Sequence, residues 1–142
     1  MFEFFKKKQP SQKIEDKVAS LSVKDGALHT YKDKAQDEIS YLIEFMETHE
    51  KDDEFFKYAV KTNFKQGDNT EHMWVQVNEF KDGRFIGRLA NRPATVTSLK
   101  YGDPVNVLRE DVEDWILQDH LTNTKVGGFS SGYIRNKADN NQ

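Results

Sequence analysis

The sequence predicts an α+β fold, in which an N-terminal helix packs on a small, strongly bent antiparallel sheet or partial barrel of five to six short strands. The first observation is a change in the spacing of apolar residues, from a helical period before residue 50 to alternation after residue 55. The second is a series of turn signals between short apolar runs, which is typical of antiparallel strands. Short strands need closure or a covering helix, and this need favours a bent sheet beneath the helix.

The size and composition of the chain limit its class. A chain of 142 residues fits one domain, and 12% aromatic residues argue against a disordered chain. The net charge of −3 argues against general nucleic-acid binding, which needs a basic surface. The absence of cysteine excludes disulfides and a cysteine nucleophile. No apolar stretch approaches the roughly 20 residues of a membrane span, and the N-terminus lacks the order of a secretory signal, so we expect a cytoplasmic protein.

We expect three segments along the chain. They are a partly flexible lead-in at residues 1–30, a single α+β domain at residues 31–135 and a disordered polar tail at residues 136–142. The lead-in begins with three phenylalanines followed by three lysines, which permit weak contact with an anionic membrane surface. A flexible tail, or rings tucked against the domain, is the favoured interpretation. Asp25-Gly26 is a turn signal that precedes the helix.

The clearest element is a helix from about Asp33 to His49. Asp33 and Gln36 resemble a capping box. Residues 33–54 hold nine acidic and two basic side chains, so the outer face is acidic. A charge run is usually a solvated face, and the alternative is a docking face for a basic protein. The apolar stripe at the helical period consists of Ala35, Ile39, Leu42, Ile43 and Met46. The candidate docking acids are Glu44, Glu47 and Glu50.

The remaining predicted elements are strands separated by turns. His72 and Trp74 share one face of their strand, because side chains alternate along a strand. Asp82-Gly83 is a strong hairpin signal. The alternating or apolar runs lie at residues 56–64, 71–80, 84–89 and 105–108, and a turn at residues 111–116 leads into another strand.

Several residues in a fixed order resemble the bacterial YegJ-like family. They are Glu71-His72-Met73-Trp74-Val75, Gly83, Phe85, Gly87, Asn91, Pro93, Lys100, Gly102-Asp103, the Asp111–Trp115 segment and Gly127-Gly128. The resemblance covers about residues 33–135. It departs after Phe129, where Ser130 stands in the place of the usual threonine. The resemblance implies a small α+β domain that occurs in bacteria alone or beside other modules, and it implies no known activity.

Candidates for chemistry are few. No histidine lies at metal-ligand spacing from another ligand type, so we expect neither a metal nor a cofactor, and no catalytic signature is present. His72 is a general base or ligand-contacting imidazole, or, as we favour, a ring packed on Trp74 and held by a hydrogen bond. Trp74 and Trp115 are stacking platforms or, more commonly, core anchors. Beside Asp114, the Trp115 N–H is expected to bond to an acid.

Arg84, Arg88 and Arg92 give the strongest local signal for an anion. Residues 81–109 hold six basic and two acidic side chains, and arginine binds phosphate or carboxylate through two parallel hydrogen bonds. The favoured alternative pairs these arginines with the acidic run at residues 110–119, because the opposite charges are close in sequence and similar in number.

Three functions remain open. The favoured one is a non-catalytic protein-binding module, of an immunity or regulatory type, because the chain has an acidic helix and no catalytic signature. The second is a small enzyme with His72 as base and Arg84 or Arg88 holding an anionic substrate. The third is an anionic-ligand sensor that uses the same face without turnover. An enzyme is less favoured than a binding module, and the sequence has no feature that sets the oligomeric state.

Overall fold

The computed structural model describes residues 22–52 and 54–130. In this part of the chain one helix lies on a six-stranded antiparallel sheet, which confirms the predicted α+β fold. The sheet is open and has two edge strands. The expected N-terminal membrane contact and the expected tail at residues 136–142 lie outside the described residues. No helix within the described ranges is long and apolar enough to cross a membrane.

The sheet is built by consecutive hairpins and one crossover. Its order is β4-β3-β2-β1-β5-β6, and all neighbouring strands are antiparallel. Two strands, of 11 and 13 residues, are longer than predicted, because they pair along nine register positions. A 3₁₀ turn at Arg109–Asp111 precedes the fifth strand. The elements are α1 Ser22–Thr48, β1 Phe56–Gln66, β2 Asn69–Lys81, β3 Arg84–Leu89, β4 Pro104–Leu108, β5 Asp114–Asp119 and β6 Thr124–Gly127.

The helix extends further toward the N-terminus than predicted. Asp25 and Gly26 lie inside α1, so the predicted turn at these residues is wrong. Asp33 is therefore an interior residue of the helix and not its N-cap. One interior glycine costs a helix only about 1 kcal/mol relative to alanine, which a helix of 27 residues can tolerate. The end of α1 at Thr48 agrees with the predicted end near His49.

Polar contacts connect α1 to the segment that leads into β5. The Gln36 side chain donates hydrogen bonds from Nε2 to the carbonyl oxygens of Arg109 (2.9 Å) and Val112 (2.7 Å). Trp115 donates from its indole Nε1 to the carbonyl oxygen of Ala35 at 3.1 Å. The prediction that this indole bonds to an acid is therefore wrong.

The main core lies between α1 and one face of the sheet. The predicted apolar stripe of α1 is buried along its whole length. Opposite it, one row of buried residues crosses four strands, in the order Trp115, Val60, Val75 and Leu89. A register slip of one residue would turn this row toward the other face, so the row fixes the pairing of the strands.

A second, smaller apolar cluster lies on the opposite face of the sheet. It consists of Trp74 with Ala59, Ala90 and Ile116, all of them buried. Trp74 is 2% exposed and Trp115 is 1% exposed, so the prediction that both rings belong to the core is confirmed. The two indoles lie on opposite faces of one sheet, and each anchors its own cluster.

We expect the Gly87→Ala variant to lose at least about 2 kcal/mol of unfolding free energy, because the added atom would collide with the backbone of β2. A Cβ at Gly87 would lie 1.9 Å from the backbone oxygen of Gln76. Urea denaturation measures the loss. Gly67→Ala is the control, since a Cβ there meets nothing within 4 Å. Its only cost in unfolding free energy comes from the positive φ of 60°. Equal losses in both variants would contradict the close approach of β2 and β3.

Candidate functional site

The predicted acidic docking residues lie together on the outer surface. Glu44 and Glu47 lie in the C-terminal half of α1, Glu50 lies in the following turn, and all three are exposed. We call these three residues the acidic face. Among the side chains of residues 31–52 and 54–130, none forms an ion pair with these carboxylates. Nearby on α1, the ring of Tyr41 is 50% exposed and stacks on Trp115 with a centroid distance of 6.3 Å.

The three predicted arginines lie on the sheet face opposite α1 and in the loop after β3. Arg84, Arg88 and Arg92 are all exposed. None of them forms an ion pair with a carboxylate anywhere in the described residues, so the favoured internal pairing with residues 110–119 is wrong. The reason is spatial, because β5 lies three strands away from β3 in the sheet.

Two of the arginines meet at one turn. Arg88 donates from Nη1 to the carbonyl oxygen of Gly102 at 3.0 Å. The guanidinium carbon of Arg92 lies 5.3 Å from the centroid of the Tyr101 ring. Arg84 makes neither contact and lies four residues before Arg88 on β3, about 13 Å away along the strand.

His72 forms a pair with a residue from another strand segment. Its Nδ1 atom lies 2.7 Å from Oε1 of Glu113, a hydrogen bond that becomes an ion pair when the imidazole is protonated. Glu113 is buried and its backbone N–H donates to the carbonyl oxygen of Lys61 at 2.8 Å. The structure therefore supplies the partner that orients His72, which an imidazole acting as a base requires. The same contact equally satisfies a structural imidazole.

The structure does not bring His72 and the arginines into one site. Arg88 pairs with Gln76 across β2 and β3. Gln76 is four residues from His72 on the same strand face, so the two positions are about 13 Å apart. The buried ring of Trp74 occupies the position between them. A single site with His72 as base and Arg88 as substrate clamp therefore needs a substrate long enough to cross Trp74.

Asp114 is an internal anchor. It is 0% exposed, and its Oδ1 accepts the backbone N–H groups of Trp115 (2.8 Å) and Phe129 (2.9 Å). Its Oδ2 accepts the N–H (3.0 Å) and the hydroxyl (2.5 Å) of Ser130. The carboxylate thereby fastens the segment after β6 to the start of β5.

Lys61 is buried, although no pattern in the sequence indicates it. Its side chain is 3% exposed, and its Nζ atom lies 5.6 Å from the centroid of the Tyr31 ring. Lysine on the polar side of an alternating strand usually faces water, so no sequence signal distinguishes it from Lys57. The Lys61–Asp114 register across β1 and β5 places a base and an acid opposite each other on one face of the sheet.

Glu71, from the strand segment that carries the family resemblance, holds the loop at residues 94–96. Its Oε1 accepts the N–H groups of Thr95 (2.9 Å) and Val96 (3.1 Å), and its Oε2 accepts that of Ala94 (2.8 Å). Burial by itself raises the pKa of this carboxyl group. The hydrogen bonds outweigh that effect, so the pKa of Glu71 lies below its ordinary value of 4.5.

Other polar groups do not add up to a metal centre in the part of the chain that the structure describes. No group of three or more His, Cys, Asp or Glu residues there has an arrangement that could hold a metal ion. Three places remain as candidate sites, which are the acidic face of α1, the arginines at the turn around Tyr101 and the His72–Glu113 pair.

Comparison with known proteins gives a family and one curated relative. A family model described as an uncharacterised protein conserved in bacteria (DUF2314) matches residues 25–142. The uncharacterised protein YegJ of Escherichia coli (strain K12) is 33% identical over 82 residues, which cover 58% of this chain and 51% of YegJ. The chain thus spans about half the length of this relative. No solved structure matches significantly.

We expect the Glu71→Gln variant to lose about 1 to 3 kcal/mol of unfolding free energy at pH 7, because a neutral amide accepts the loop N–H groups more weakly. Since the folded-state pKa is lowered, this contribution is present above the unfolded pKa of about 4.3 and is lost as the pH falls through the folded pKa. Urea denaturation at pH 7 and near pH 3 measures it. The exposed Glu79→Gln is the control, and a Glu71→Gln loss that stays constant with pH would contradict the assignment.

We expect His72→Ala and Glu113→Ala each to lower the unfolding free energy by about 1 to 3 kcal/mol, because each leaves a buried or half-buried partner without its hydrogen bond. The double variant should lose about 1 kcal/mol less than the sum of the two. A double-mutant cycle by urea denaturation checks this coupling, with exposed His120→Ala as a control. Strictly additive losses would show that the pair does not interact in solution.

Proposed function

The chain belongs to the bacterial family DUF2314, and we propose that it is a non-catalytic module that binds a basic protein through the acidic face of α1. The partner is regulatory or is an enzyme whose basic site the module blocks, as in immunity-type pairs. The cytoplasmic location expected from the sequence is part of this proposal.

The observation that carries the proposal is the combination of Tyr41 with exposed acids on one helix and in the turn that follows it, none of which forms an ion pair within the described part of the chain. Protein interfaces commonly have an aromatic residue at the centre and charged groups at the rim. The Tyr41 ring is half-exposed, yet its stacking on Trp115 and its contact with Phe45 at 6.2 Å restrict its motion. A ring that is already ordered loses little conformational entropy when a partner covers it.

The charges supply selectivity for a basic partner. The carboxylates of Glu44, Glu47 and Glu50 are exposed and lack ion pairs within the described residues, so their field is not neutralised by the protein itself. Acidic groups at an interface rim speed association with a positive surface and repel a negative one. Because the helix is long and anchored to the sheet by Gln36 and Trp115, these groups are presented on a rigid element.

The alternative is a small enzyme or an anionic-ligand sensor that uses His72. One observation favours it, which is the 2.7 Å contact between His72 and the buried Glu113. A carboxylate that orients an imidazole is a common arrangement around a general base. The separation of His72 from the arginines by Trp74 weighs against the version in which Arg84 or Arg88 holds the substrate in the same site.

We expect the double charge reversal Glu44→Lys/Glu47→Lys to weaken binding of the basic partner by about tenfold or more, and the addition of Glu50→Lys to abolish it, because like charges then face each other. The partner is captured from a lysate of the source bacterium with the tagged protein and identified by mass spectrometry. Its affinity is then measured by titration at low and high salt, where screening weakens surface attraction.

The matched control is Asp68→Lys/Glu79→Lys, which reverses two exposed acids at the β1–β2 turn and at the other end of β2. The control should bind as the parent does, and thermal unfolding should show that both variants are folded. A captured protein that binds the helix variant and the control equally well would overturn the proposal. If the tagged protein is recovered from the lysate without any partner, the His72 alternative becomes the favoured function.

A further inference from the structure

An open cleft lies on the sheet face that α1 does not cover. Its volume is about 520 Å³, and it lies over β2 and β3 beside the turn that precedes β4. Its lining includes Gln76 and Gly87 from the paired strands, Arg88, and Tyr101 and Pro104 from the turn. The volume falls within the range of roughly 300 to 1,000 Å³ that small-molecule sites have.

The backbones of β2 and β3 approach each other closely at the cleft. A Cβ on Gly87 would lie 1.9 Å from the oxygen and 2.7 Å from the carbonyl carbon of Gln76. A β-bulge between Val77 and Glu79 shifts the register of the same two strands beside this position. Any side chain at Gly87 would therefore collide with the β2 backbone and disturb the sheet beside the cleft.

The turn that contains Tyr101 is hydrogen-bonded to the sheet. Gly102 donates its N–H to the carbonyl oxygen of Leu89 at 2.8 Å, and Leu89 donates back to the carbonyl oxygen of Asp103 at 2.9 Å. Asp103, in the same turn, accepts the backbone N–H of Lys100 at 2.9 Å with its Oδ2 atom. This carboxylate belongs to the turn itself and forms no ion pair with an arginine in the described ranges.

Arg88 lines the cleft, and Arg92 contacts Tyr101, which is part of the lining. Within the described residues, both arginines keep hydrogen-bond donors that have no acceptor. Arg88 donates one N–H to the carbonyl oxygen of Gly102. A guanidinium group has five N–H donors, so most of those of Arg88 remain for a ligand. The Arg92 guanidinium lies over the Tyr101 ring, which restrains it without using its hydrogen-bond donors. Restrained arginines lose less entropy on binding, and their planar groups match the oxygens of phosphate and carboxylate.

We propose that this cleft binds a small molecule that carries one phosphate or carboxylate group. Arg88 and Arg92 hold the anionic group, the Gln76 amide hydrogen-bonds beside it, and the apolar part of the molecule lies against Tyr101 and Pro104. The cleft lies on the opposite side of the sheet from α1, so this site is separate from the acidic face and does not depend on a protein partner.

The test uses phenyl phosphate and benzoate as probes, with benzyl alcohol as the uncharged control. Binding is measured by titration calorimetry, and the affected residues are located by amide chemical shifts. Arg88→Gln and Arg92→Gln should each weaken binding of both anions by about tenfold, the typical effect of one charge-assisted hydrogen bond. Arg84→Gln removes the same charge from the same strand face outside the cleft, and it should bind as the parent does. All three arginines are exposed, so the variants should remain folded.

Each outcome decides between the cleft and the alternatives. Shifts centred on Gly87 and Gly102, together with losses confined to Arg88→Gln and Arg92→Gln, would establish the site. A stronger response to one anion would assign phosphate or carboxylate as the natural group. Equal losses in all three variants would mean that the surface attracts anions without a site and would overturn the proposal. No binding of either anion, or equal binding of benzyl alcohol, would also overturn it.

Discussion

The packing of Trp115 between α1 and β5 is the interaction on which the other parts of the structure depend. Its indole N–H bonds to the Ala35 carbonyl oxygen in α1, and its ring supports Tyr41 on the surface. At the other end of the ring, Gly127 lacks a side chain because a Cβ there would lie 2.8 Å from the indole. The Phe129 ring packs edge-on against the same indole at 5.6 Å. One buried side chain thus joins the helix, the sheet and the segment after β6.

Polar side chains complete the fold by accepting backbone N–H groups where loops meet the sheet. Glu71 accepts three N–H groups of the loop at residues 94–96, Asn91 accepts the Trp74 N–H at 2.7 Å, and Asp114 accepts those of Phe129 and Ser130. A buried N–H without an acceptor is costly, so these acceptors are needed wherever a loop meets the sheet. Several residues that carry the resemblance to the family therefore hold the fold, and they say little about activity.

The exposed charged groups that do not hold the fold lie in two separate sets of opposite sign. The acidic face of α1 and the arginines at the Tyr101 turn lie on opposite sides of one sheet, and neither set is neutralised within the described residues. Their distance prevents mutual pairing, and their opposite signs select different ligands. The two proposals, a basic protein for the helix and a small anion for the cleft, therefore concern separate surfaces of one small domain and can be tested independently.

The sequence by itself determined the elements whose signals are local. The α1 stripe, the Asp82-Gly83 hairpin with both residues at positive φ, and the shared face of His72 and Trp74 follow from periodicity and turn chemistry. The tertiary structure decided which elements are neighbours. His72 meets Glu113 from 41 residues away because β1 lies between β2 and β5 in the sheet. Strand order also buries Lys61. It places Arg88 beside Gly102 and away from the acids at residues 110–119. Local patterns fix the direction of a side chain, but its partner depends on strand order, which is set by the packing of the whole core.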